Sequence, residues 1–331
     1  MRPTRDGVLA GVVAVWVLVV LGADVGASLT EQRLLGVGTW VLLFVALRGE
    51  ARATRVQVAV VVAYATLVEY VFADALGVYV YRLENVPAFV PPGHGLVYLA
   101  AFAIGRSTWA QQHARPFLGV TLALCGMWAL WGVTLADRPD ALGAFWFGCL
   151  LLFAWKGRSP LLYAGAFVVV SYLEVVGTSL GTWEWQRTDP TGLVSIGNPP
   201  SGIAGGYAWF DAAALYLTPR ALVWWDRRRD SRRGDPVGGD PQNQAGEVSS
   251  VVQGLQQREL NDHLRQLPPE EVPAGLSLAV VEVAFAAVGG QQLLQPDPRE
   301  HHVPDGLEVD GGVRQRHLEA GCREQLHRGR R

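Results

Sequence analysis

Residues 161–185 read LLYAGAFVVVSYLEVVGTSLGTWEW, and residues 56–81 read VQVAVVVAYATLVEYVFADALGVYVY. Each begins as an apolar run of about 20 residues, enough at 1.5 Å per residue to cross about 30 Å of hydrocarbon. Each carries one glutamate inside that run, Glu174 or Glu69, and ends on Gly-x-aromatic-x-aromatic. Two such segments in one chain predict a membrane bundle with acidic side chains placed below its surface.

Six further apolar runs flank these two. The eight cover about 8–27, 34–47, 56–76, 93–105, 117–136, 141–155, 161–180 and 203–225, and the expected fold is an all-α polytopic bundle of about eight transmembrane helices. The first run follows a short charged start, lacks a small-x-small cleavage site and is succeeded by more spans, so it reads as a retained helix. Lys and Arg collect on the cytoplasmic side of short loops. Alternate loops separate cleanly here: Arg2 and Arg5, Arg48, Arg52 and Arg55, Arg106 and Arg115, Lys156 and Arg158, and Arg227 to Arg229 form one set. Arg33, Arg82, Arg138 and Arg187 stand singly in the other set. The alternation predicts a multi-pass protein of the cell membrane with both termini cytoplasmic.

The charged fraction is 18% and the apolar fraction 50%, against about one quarter charged in a soluble domain. All 12 Trp and 9 Tyr fall at or before Trp225, and beyond it the chain turns to Asp, Arg, Gly, Pro and Gln. The expected division is therefore a bundle over 1–226 and a low-complexity, largely disordered cytoplasmic tail over 227–331. Within that tail, 274–288 reads as a marginal or amphipathic helix, and His301, His302, His317 and His327 as solvated. Cys125, Cys149 and Cys322 show no paired spacing for zinc or a redox disulfide. No basic domain suggests nucleic acid, and no phosphate loop, nucleophile elbow or paired-Asp magnesium motif occurs; neither metal nor cofactor is implied.

The two opening segments extend into a longer shared order. Glu69, Gly77, Tyr79, Tyr81, Pro91, Pro92, Gly93, His94 and Tyr98 are matched by Glu174, Gly181, Trp183, Trp185, Pro199, Pro200, Ser201, Gly202 and Tyr207. A 4+4 repeat with halves about 1–116 and 117–226 is expected. An even repeat enters the membrane in one direction twice, so both motif loops would face outward about an axis along the membrane normal.

A charged side chain at membrane depth costs about 2.5 to 3.5 kcal/mol on insertion scales and usually faces the protein interior for a purpose. Glu69, Glu174 and Asp211, the last about two turns into the eighth run, are the candidate catalytic acids; helix-to-helix hydrogen bonding is their bland alternative. Asp74 is nearer the interface and reads as solvated. Burial favours the neutral acid, which beside an apolar chamber can donate a proton. His94, in the Pro-Pro-Gly-His-Gly turn, is the candidate base or water positioner. The Pro-Pro segments are expected to form irregular, re-entrant walls. Tyr79, Tyr81, Trp183 and Trp185 fit either an interfacial belt or ring faces presented to a developing cation. With Tyr98, Tyr207 and Asn198 they form the expected substrate-binding set.

Glu69 and Glu174, each followed by Gly-x-aromatic-x-aromatic and a proline-marked loop, resemble the membrane-integral carotenoid-biosynthesis proteins, namely the bacterioruberin-type hydratases and small bacterial lycopene cyclases. The paired carboxylates also resemble those of membrane-integral meroterpenoid cyclases. The cyclases' Pro-Leu-Glu-Glu signature is replaced here by Pro-Pro-Gly-His and Pro-Pro-Ser-Gly. The resemblance implies protonation of an isoprenoid double bond by a membrane carboxylic acid and capture of the cation by water or an internal alkene. The implied partners are a lipidic or isoprenoid small molecule and membrane lipids. A proton-coupled carrier and a non-catalytic membrane subunit are the alternative functions, and the oligomeric state stays open.

Overall fold

The computed structural model describes residues 4–233. Every one of the eight apolar runs is helical: α1 Arg5–Asp24, α2 Leu29–Leu47, α3 Arg52–Glu69, α4 Val90–Arg106, α6 Ala114–Thr134, α7 Ala141–Lys156, α8 Pro160–Ser179 and α9 Ala204–Arg233. A short helix, α5 Thr108–Gln112, precedes α6. Two three-residue strands, β1 Tyr79–Tyr81 and β2 Trp183–Trp185, add a small ribbon to the expected all-helical fold. Among the described residues, five helices are long and apolar enough to cross a membrane: α1, α2, α3 with its continuation to Ala75, α6 and α8. The chain is a membrane protein.

Helix starts follow local chemistry. Ser28 and Glu31 form a reciprocal capping box at α2, which satisfies two orphan amides and draws Thr30 to Arg33 into the helix ahead of the apolar run. Pro91 and Pro92 lie in the first turn of α4, where a missing N–H costs nothing; the first Pro-Pro segment is therefore a helix start. The second instead contains a cis peptide bond between Asn198 and Pro199. At the other boundary α9 continues to Arg233, past the break expected at 226, because Arg is a good helix former. Arg228 lies over the Trp224 ring, 4.0 Å from its centroid. Residues 234–331, including 274–288, Cys322 and the four histidines, lie outside the described residues.

Burial orders the helices. Large apolar side chains such as Leu18, Val37, Phe44, Met127 and Leu130 are exposed on α1, α2 and α6, as a lipid-facing ring requires. All residues of 94–101 on α4 and of 161–167 on α8 are buried, and a helix covered on all sides occupies the centre. Between helices in lipid, close backbone approach replaces the hydrophobic drive. Accordingly Gly165 of α8 sits on the Ala101 carbonyl of α4, Gly105 sits on the backbone of Leu161, and Gly205 of α9 sits on the Trp146 carbonyl of α7.

Charged groups gather at the two ends. Arg106 binds Asp6 and Glu50, while Arg5 also reaches Glu50, whose side chain is 2% exposed. Arg52 pairs with Asp226 at 2.8 Å. At the opposite end Arg82 donates to the Ala27 carbonyl and approaches Asp24, which accepts from Gln32.

Two consequences are measurable by thermal unfolding in detergent. Gly165→Ala is expected to lose about 1–3 kcal/mol, because its Cβ would meet the Ala101 carbonyl and force overpacking, whereas Gly148→Ala, with open space around it, is neutral or stabilising. The hydrogen bonds from Arg106 hold the Glu50 carboxyl below its ordinary value of 4.5. A carboxyl lowered in the folded state gives stability that is complete above its unfolded value and lost as pH falls through the folded one. Stability should therefore decline below pH 4.5, and Glu50→Gln should flatten that acid limb.

Candidate functional site

Glu69 is the last residue of α3, and a π-helical segment, Tyr70–Ala75, follows it. From Glu69 to Gly77 the chain advances one residue more than from Glu174 to Gly181. A π-segment accommodates an additional residue within a helix, so the two stretches stay in step despite the difference. Gly77 and Gly181 then take the left-handed conformation, φ +61° and +68°, which glycine adopts without a steric penalty. Both chains turn back over the helix ends and pair as antiparallel strands, Tyr79 opposite Trp185, Val80 opposite Glu184, and Tyr81 opposite Trp183.

Period-two alternation places the four aromatics on one face of this ribbon. All four are buried, and Val80 and Glu184 are exposed. The Tyr79 ring lies 4.6 Å from Trp185 and that of Tyr81 6.2 Å from Trp183. Their polar edges turn inward: Tyr79 and Tyr81 donate their hydroxyls to Glu69 Oε2 at 2.7 and 2.8 Å. Trp183 and Trp185 donate their indole N–H groups to Glu174 Oε2 at 3.0 and 3.1 Å. The aromatics therefore form a buried cradle, each carboxylate gripped by the aromatic pair of its own stretch, and not an interfacial belt. Glu69 and Glu174 are 7% and 4% exposed, and the aromatic donors that hold them meet one another across the ribbon.

His94 completes the first carboxylate. It lies in the opening turns of α4, at the helix start, and is 5% exposed. Its Nε2 is 2.9 Å from Glu69 Oε1. Its ring packs on Tyr207 and Phe210 of α9, with centroids 5.4 and 5.8 Å away. Glu69 thus has partners on both oxygens, while the two hydrogen bonds to Glu174 both end on Oε2.

Asp211 of α9 is buried, as Glu69 and Glu174 are, and its Oδ2 has no hydrogen-bond partner among the described residues. Tyr98 is buried too, and its hydroxyl donates to Gln57 Oε1 at 3.1 Å. Asn198 is exposed, and its Oδ1 accepts the Trp185 backbone N–H at 3.1 Å; it braces β2. Asp74 is exposed as expected.

Two residues escaped the sequence reading. Asp140, the N-cap of α7, accepts backbone N–H groups from Gly143, Gly197 and Ser201, which fixes the second proline loop against α7. Arg138 donates to the carbonyls of Trp185, Gln186 and Ile196 and ties β2 to that loop. An aspartate just before an apolar run, as in Asp140-Ala141-Leu142-Gly143, signals the cap, but no local pattern reveals partners about sixty residues away in sequence. Among the described residues no three His, Cys, Asp or Glu are grouped to hold a metal. No family model, curated protein or solved structure matches the chain.

Leaving a buried hydrogen-bond partner unsatisfied costs about 1–3 kcal/mol, so Tyr81→Phe and Trp185→Phe should each lower unfolding stability by roughly that amount. Asp140→Ala, which abandons three amides, should cost more than Asn198→Ala at the exposed brace; equal losses in thermal melts would contradict this ranking.

Proposed function

We propose that the chain is a multi-pass protein of the cell membrane with eight spans in two four-span halves, 1–116 and 117–226, and cytoplasmic termini. We further propose that it acts in carotenoid or isoprenoid lipid metabolism as a hydratase or cyclase that protonates an alkene. The observation that carries this reading is the pair of buried glutamates, each held by two aromatic donors and brought together by the β1–β2 ribbon. Equivalent positions paired about the centre of that ribbon support a duplication. The grouping of Arg5, Arg52 and Arg106 at one end, with Arg82 and Arg138 at the other, supports the orientation.

The two glutamates divide the work. Glu174 receives both of its hydrogen bonds on Oε2, which leaves Oε1 as the oxygen that carries a proton and delivers it to the alkene carbon. The C=C π pair forms the new C–H bond, and the neighbouring carbon becomes a cation. The electron-rich faces of Tyr79 and Trp185 stabilise that cation by about 0.5–2 kcal/mol each. In the hydratase case water adds to the cation and loses a proton to His94, which Glu69 orients: with Nε2–H donated to Glu69, Nδ1 is the acceptor. Return of that proton to Glu174 closes the cycle, so alkene and water give an alcohol without a redox partner.

A purified preparation in detergent, without any ion gradient, should convert an isoprenoid alkene into a product heavier by one water or into a cyclised isomer. Glu174→Gln should lower the rate by about 10²–10⁴, the range of general acid catalysis, with Glu69→Gln similarly impaired. Gradient-dependent flux in sealed vesicles with no new product would instead establish a carrier.

A further inference from the structure

Two arginines meet on one exposed ring at the end of α9, less than two turns before Asp226, the partner of Arg52. Pro219 lies inside α9 and lacks an N–H, so the Leu215 carbonyl four residues earlier loses its helical donor. Arg158, between α7 and α8, donates Nη1 to that carbonyl at 3.3 Å, and Arg220 donates Nη1 to the next one, that of Tyr216, at 2.8 Å. Both guanidiniums also lie over the Tyr216 ring, 5.5 and 3.8 Å from its centroid, so they cannot be farther apart than those two distances laid end to end. Lys156, two residues before Arg158, lies 3.8 Å from the Trp155 centroid. The three cations, Tyr216 and Trp155 are all exposed. Among the described residues no acidic group pairs with Lys156, Arg158 or Arg220.

Each guanidinium carries five N–H donors in a planar fork and gives one of them to a carbonyl. The group that answers such a pair is anionic and accepts from both sides. A phosphodiester does so, because its two unesterified oxygens share one charge and each can accept from a different guanidinium. The location selects the source. Tyr and Trp sit at the headgroup level of a bilayer, and basic pockets between spanning helices at that level bind anionic headgroups. Leu151 of α7 and Leu217 of α9 are exposed and offer acyl chains an apolar surface. A choline or ethanolamine head would bring a further cation against three, so charge favours a phospholipid with net negative charge.

We propose that Arg158 and Arg220, with Lys156 beside them, hold the phosphate of an anionic phospholipid against Tyr216. The site is separate from the glutamates and does not depend on what they do. Thermal unfolding of the full chain in detergent is followed with dioleoylphosphatidylglycerol, dioleoylphosphatidylcholine and inorganic phosphate, each variant against its own midpoint without additive. Phosphatidylglycerol should raise the midpoint by about 5 °C at saturation, and the other two by a small fraction of that. Arg158→Gln with Arg220→Gln should abolish the shift. Arg48→Gln with Arg115→Gln, an equal loss of charge at two other exposed positions, should retain it. The hydrogen bond and ring contact of Arg220 stay within α9, so Arg220→Gln alone folds even where loss of the Leu215 bond unfolds the double variant, and it should lose at least half of the shift. Equal loss in the two double variants would reduce the effect to diffuse attraction by a basic surface and overturn the proposal. An equal shift with phosphatidylcholine, or with inorganic phosphate alone, would also overturn it, as would a full shift in Arg220→Gln.

Discussion

A carboxylate taken out of water has to recover its hydrogen bonds from the protein, since an unpaired charge in a low-dielectric interior costs several kcal/mol. Two carboxylates, Glu69 and Glu174, impose this demand near one end of the bundle. The residues that meet it lie nine to twelve positions further along the chain, beyond the helix ends. Each chain must therefore turn back sharply, which explains the left-handed glycines and the inward-facing aromatics of the ribbon.

The rest of the architecture serves that closure. α4 and α8 occupy the centre because small residues let their backbones touch, and α4 delivers His94 to Oε1 of Glu69, the oxygen that the ribbon's tyrosines do not take. Asp140 and Arg138 collect backbone amides and carbonyls of the second loop, so the end of β2 and the loop after it are tied to the start of α7. The first loop is anchored instead by Arg82, through Ala27 and Asp24. Two stretches with one plan are thus stabilised by different neighbours, and that difference is mirrored in chemistry: one glutamate has a histidine, the other has none.

The interior also holds polar groups away from the glutamates. Gln57 of α3 is buried and accepts the Tyr98 hydroxyl of α4 at 3.1 Å, a hydrogen bond that ties one helix to the next inside an apolar core.

Membrane character, the eight helical runs and the importance of Glu69 and Glu174 were legible in the sequence, because hydrocarbon thickness and backbone hydrogen bonding act locally: length and apolarity specify a helix, and a lone acid within one stands out. The order Glu, Gly-x-aromatic-x-aromatic was legible for the same reason. Tertiary structure alone decided which edges of Tyr79, Tyr81, Trp183 and Trp185 face the acids, since an aromatic-rich loop is equally compatible with a lipid interface. It also joined His94 to Glu69, turned Asn198 into a brace, and brought in Arg138 and Asp140 as the ties of the second loop. These assignments depend on contacts between residues far apart in the chain, and side-chain direction across a helix bundle is set by packing, which no local pattern encodes.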